Sequence, residues 1–84
     1  MNSKHRKTLN AIFTNPVSPA ILWEDIEKLF VACGGVLTEG RGSRVRVKLG
    51  EVLATFHRPH PERFTDKGAV KSVRIFLENA GVKP

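Results

Sequence analysis

Eighty-four residues suffice for one domain, and a hydrophobic share of 40% with five Phe and one Trp can fill its core without cross-links. A single cysteine, Cys33, excludes an internal disulfide and a multi-cysteine zinc site, and neither a signal peptide nor a run of ~20 apolar residues is evident. Fourteen Lys and Arg against eight Asp and Glu leave a net charge of +6, a field that favours nucleic acid or an acidic protein as partner.

In chain order, Leu9, Ile12 and Phe13 recur at helical spacing and predict a first helix over Ser3–Phe13, with Ser3 as its cap. Asn15-Pro16 ends it, because the residue before a proline avoids the helical region. Residues 1–16 therefore read as an N-terminal helical extension, and 17–84 as the domain proper. Trp23, Ile26, Leu29, Phe30 and Cys33 form an apolar stripe that predicts a second helix over Trp23–Cys33. Glu24, Asp25 and Glu27 suit the positive end of its dipole, and Gly34-Gly35 stops it.

Val36–Glu39 is a short strand that ends in the turn Gly40-Arg41-Gly42. Over Ser43–Leu49 the alternation is strict, with Arg44, Arg46 and Lys48 on one face and Val45, Val47 and Leu49 on the other. Gly50-Glu51 fits a two-residue hairpin loop with glycine first, and Val52–His57 is the returning strand. Arg58-Pro59-His60-Pro61 opens a stiff loop, since two prolines remove ladder donors. A last helix is predicted from Gly68 or Ala69 to Ala80, with Gly81 as its stop. The order α-α-β-β-β-α implies an α+β fold of two layers, a three-stranded antiparallel sheet with helices on one face and the other face open.

A two-residue loop fixes the register, so paired residues have numbers that sum to those of Leu49 and Val52. Lys48 then faces Leu53, Arg46 faces Thr55, and Arg44 faces His57, with Cβ atoms about 4.5–5.5 Å apart. The open face is expected to present Arg44, Arg46, Lys48, Thr55 and His57 together, beside Arg41, Ser43, Arg58 and His60. Arginine grips a phosphate with two hydrogen bonds, and an imidazole exchanges protons near neutral pH. Such a set matches what metal-free RNA cleavage requires: a base for the 2′-OH, cations for the charge developing on phosphorus, and an acid for the leaving oxygen. His57 and Arg44 are the leading candidates for this chemistry, with His60 as a second proton carrier if its loop folds back. Arg41, Ser43, Arg46, Lys48, Thr55 and Arg58 are the candidate RNA contacts, and Ser43 has no evident activating partner that would make it a nucleophile. His57 and His60 lack the carboxylates that would complete a metal site, and the Gly40–Gly42 turn is too short for a nucleotide loop; no metal or cofactor is expected.

From Trp23 to Val82 the motifs, in their order and spacing, resemble HicA-type toxins, the small mRNA-cleaving ribonucleases of bacterial HicA–HicB toxin–antitoxin pairs. Asp25-Ile26-Glu27-Lys28-Leu29 with Gly34-Gly35, then Gly42-Ser43, Arg58-Pro59-His60-Pro61, and Val73-Arg74 to Ala80-Gly81 carry the resemblance. It implies a double-stranded-RNA-binding-domain-like fold, cleavage of mRNA without a metal, and neutralisation by a HicB-like antitoxin that covers the active face. The lone thiol, with no disulfide partner in the chain, suits a reducing cytosol, so a cytoplasmic protein is expected. Where such toxins place a histidine held to be catalytic, after Gly-Ser, this chain has Arg44. The register offers His57, directly across from Arg44, as the relocated histidine. The alternative is a non-catalytic module of the same fold that binds RNA or an acidic protein by shape and charge.

Overall fold

In the computed structural model, which describes residues 1–84, the first helix, α1, spans Ser3–Ile12. Its cap is Asn2 rather than Ser3: the Asn2 side chain accepts from the His5 N–H at 2.8 Å, and Ser3 becomes the first helical residue. Asparagine is a strong N-cap, so the helix gains one residue at its start. Phe13 is the C-cap and is not helical. The second helix, α2, covers Trp23–Ala32 and buries Trp23, Ile26, Leu29 and Phe30 along one stripe.

Three strands follow, β1 (Val36–Glu39), β2 (Arg44–Leu49) and β3 (Val52–His57), in an antiparallel meander with β2 in the middle. Gly50 takes φ +62 while Glu51 stays at negative φ, the geometry of a tight hairpin loop with glycine first. The β2–β3 pairs run from Leu49 with Val52 to Arg44 with His57 without a bulge. The last helix, α3, spans Lys67–Asn79 and so starts earlier than Gly68. Asp66 caps it by accepting from the Ala69 N–H at 2.8 Å, which outweighs the poor helix propensity of Gly68.

The architecture is α+β, in the order α-α-β-β-β-α. One sheet face buries Val45, Val47, Leu49 and Phe56 against the helices. Four rings join the layers: Phe30 stacks on Phe56 at 5.7 Å between centroids, and Phe76 meets both edge-on at 5.4 and 5.6 Å. Trp23 leans on Phe56 at 5.8 Å. Edge-to-face and offset stacking are the favoured aromatic geometries, so Phe56 is the point where β3 is fixed to α2 and α3.

The N-terminal helix shares this core, because Leu9 and Ile12 are buried in the same cluster as the sheet and α3 residues. Arg74 of α3 secures it. Its guanidinium donates to the carbonyls of Ile12 and Thr14 at 2.9 and 3.1 Å and to Asn15 Oδ1 at 3.2 Å, satisfying acceptors left over where α1 ends. The same group lies 5.9 Å from the Phe13 ring centre. No helix is long and apolar enough to cross a membrane.

Candidate nucleic-acid interface

Alternation along β2 turns Arg44, Arg46 and Lys48 to solvent while Val45, Val47 and Leu49 are buried. The register then builds rows across the open face. Val36, Lys48 and Leu53 form one, Thr38, Arg46 and Thr55 the next, and Arg44 with His57 the last. All eight side chains are exposed, so the cations stand in the middle of the sheet with β1 and β3 residues on either side. None of the three β2 cations is in a salt bridge, which leaves each free to meet an anion.

Arg41 and Ser43 are exposed in the turn that joins β1 to β2. That turn closes with the Arg44 N–H donating to the Arg41 carbonyl at 3.2 Å, and Gly42 takes φ +61 inside it. The backbone therefore sets these two residues at the same end of the sheet as Arg44 and His57.

Arg58 is placed otherwise. It lies two residues beyond the buried Phe56, so its side chain has the parity of the helix-covered face. Its Nε and Nη2 donate to Glu27 at 2.6 and 3.2 Å, and its Nη1 and Nη2 donate to Glu39 at 2.5 and 2.8 Å. Two carboxylates therefore occupy the whole fork of the guanidinium. Glu27 also accepts from the indole N–H of Trp23, and the cluster ties α2, β1 and the end of β3 together. The hydrogen bonds from Arg58, with its charge, hold the Glu39 carboxyl below its ordinary range, and donating to Glu39 and then to Glu27 pushes the Arg58 guanidinium still further up. Arg58 is spent on the fold and is no part of the free basic face.

His60 is exposed in the loop after β3 and makes no hydrogen bond to His57 or Arg44. The loop heads for the start of α2, where the Trp23 N–H donates to the Arg63 carbonyl at 3.0 Å and Leu22 bridges to Phe64. The expected fold-back of this loop toward the open face is not what its backbone contacts describe.

Sequence reasoning missed the margin that β1 adds to the face, Val36 and Thr38, and the Glu27–Arg58–Glu39 cluster. A signal for both existed. Continuing the pairing into β1 puts Thr38 beside Arg46 and Glu39 beside Val45, on the helix side where Arg58 also falls.

No group of three His, Cys, Asp or Glu side chains converges anywhere in the molecule. Cys33 is half-buried, and burial pushes its thiol up, away from the reactive thiolate.

A comparison with protein families matches residues 23–82 to a model described as the HicA toxin of bacterial toxin–antitoxin systems. The matched stretch contains α2, the whole sheet and α3, and leaves α1 outside. No curated protein and no solved structure matches significantly.

Proposed function

This chain belongs to the HicA toxin family of bacterial toxin–antitoxin systems, and from that premise we propose that its open sheet face binds and cleaves mRNA without a metal cofactor, and that a HicB-like antitoxin protein neutralises it. The observation that carries the reading is one register pair: His57 stands directly across from Arg44, the residue that follows Gly42-Ser43. An imidazole and a guanidinium are thereby exposed side by side at one end of a row of unpaired cations.

The chemistry runs through the 2′-hydroxyl of the substrate. His57 removes its proton, the 2′-oxygen attacks the adjacent phosphorus, and the bond to the 5′-oxygen breaks, leaving a 2′,3′-cyclic phosphate and a 5′-hydroxyl. Arg44 and Arg46 face the non-bridging oxygens, on which charge grows in the transition state. The leaving oxygen takes its proton from solvent, because the loop that carries His60 runs toward the start of α2 and not toward this face. Lys48, Thr55, Ser43 and Arg41 hold the neighbouring nucleotides through phosphate and sugar contacts, which position a strand without reading its sequence. Acid–base assistance of this kind supplies roughly 10²–10⁴-fold.

Arg44 at the family's usual histidine position favours a second reading, a non-catalytic module that holds RNA or an acidic protein on the same face. Incubation of the purified chain with an mRNA transcript in chelator-containing buffer separates the two. The ribonuclease reading expects fragments ending in 2′,3′-cyclic phosphate; RNA left intact across the pH range where the chain stays folded refutes it and supports the module.

A further inference from the structure

Strand β3 forms one edge of the sheet, and no fourth strand lies beyond it. A two-residue loop makes Leu49 and Val52 a hydrogen-bonded pair, so Ala54 and Phe56 likewise exchange their backbone bonds with β2. The Arg58 N–H donating to the Ser43 carbonyl at 2.8 Å falls on the same parity. The backbone groups of Leu53, Thr55 and His57 therefore point away from β2, toward the free edge.

Proteins guard such an edge with Lys, Pro, a bulge or a very short strand. Six residues long, Val-Leu-Ala-Thr-Phe-His, β3 has no such guard. Beside it runs a groove of about 450 Å³ between the strand and α3, floored by Phe76 and Ala69. Leu53 on the strand and Ile75 on the helix border it, 71% and 57% exposed, two of the few large apolar side chains left in water. The groove also carries Asp66, Ser72 and Asn79 along α3, and an open strand edge beside such a partly apolar groove is the geometry that accepts an extended peptide as an added strand.

We infer that this edge and groove receive an extended segment of the antitoxin in which acidic and apolar residues alternate, as a fourth strand of the sheet. The inference rests on the toxin–antitoxin reading above, and charge selects the occupant. Side chains of an added strand fall alternately toward α3 and onto the open face. On the open face they stand two strand spacings from Arg44, Arg46 and Lys48, about 9.5 Å, a gap that glutamate and arginine side chains span from opposite sides. On the other side, apolar residues cover Ala69, Ile75 and Phe76. A second copy of this chain paired through β3 would instead bring two sets of the same cations together across a shared sheet, in a protein of net charge +6. The occupied edge includes His57, so the same segment that adds to the sheet also fences the proton-transfer end of the face.

The test uses the full chain and an acetylated, amidated octapeptide of alternating glutamate and valine, followed by amide NMR and hydrogen exchange. The alternating peptide is expected to shift the amides of Leu53, Thr55 and His57 and to slow their exchange. N-methylation of alternate peptide residues on the pairing side is expected to abolish both effects without any change to the protein. Leu53→Pro removes an edge donor that β2 does not use, and it is expected to weaken binding about tenfold or more, a loss of about 1.4 kcal/mol. The proposal is overturned if a block peptide of the same composition binds equally well with shifts confined to Arg44, Arg46 and Lys48. It is overturned equally if oligouridylate, and not the peptide, protects the edge amides. Peptide binding is read without RNA cleavage, so a chain that proves inactive as a ribonuclease leaves this result standing.

Discussion

The free cations on the sheet and the captive one behind it predict different salt responses. Arg44, Arg46 and Lys48 are exposed and unpaired, whereas the Arg58 guanidinium is occupied by Glu27 and Glu39. Each cation that neutralises a phosphate of a single strand adds about −0.7 to the slope of log affinity against log salt, so the three β2 cations together give about −2. A tenfold rise in salt then weakens binding about 100-fold. Fluorescence anisotropy of a labelled single-stranded RNA, titrated at several salt concentrations, measures this slope. Arg46→Ala is expected to make it shallower by about 0.7, and the triple replacement of Arg44, Arg46 and Lys48 by alanine to remove about 2. Arg58→Gln, with folding verified by its thermal transition in the same sample, is expected to leave the slope unchanged. The reasoning fails if Arg58→Gln flattens the slope as much as Arg46→Ala does, or if the triple variant keeps the slope of the parent chain.

Three further expectations concern the frame that holds the face. Phe56 is 7% exposed and packs on Phe30, Phe76 and Trp23, so Phe56→Ala is expected to cost about 3–5 kcal/mol in urea unfolding; a loss under about 1 kcal/mol would show that the ring cluster does not anchor β3. Asp66→Ala removes the α3 cap and is expected to cost about 1 kcal/mol, and an unchanged midpoint would contradict the cap geometry. Hydrogen bonds from Arg58 lower the Glu39 pKa below the ordinary 4.5, so the stability it lends is fully present above that value and disappears as pH falls through the lower folded one. Thermal midpoints recorded from neutral pH down to about pH 3 are therefore expected to fall less steeply in Glu39→Gln than in the parent chain; parallel curves would remove Glu39 from the account.

Much of this geometry was legible because strand periodicity and a two-residue loop are strict. Gly50-Glu51 fixes the pairing of Arg44 with His57 once the strand ends are read, and no tertiary contact is needed to place them. Charge density was a poorer guide. Arg41, Arg44, Arg46, Lys48, Arg58, Arg63, Lys67, Lys71 and Arg74 crowd one stretch of sequence, yet Arg58 is held by two carboxylates and Arg74 by the end of α1. Those partners lie 31 and 62 residues away, at Glu27 and Ile12, a separation that no local pattern reveals. The start of α3 was placed late because Gly68 resembles a helix breaker, whereas the Asp66 cap two residues before it decided the boundary. His60 was grouped with His57 by closeness in sequence, whereas the loop between them and α3 follows its contacts with Leu22 and Trp23.

The relocated histidine is the central claim, and single-turnover cleavage of an RNA substrate by His57→Ala, with RNA affinity measured on the same preparation, tests it most directly. The account predicts a rate at least about 10²-fold lower with affinity and fold preserved, because Arg44, Arg46 and Lys48 still hold the strand. A variant that cleaves as fast as the parent chain would contradict it.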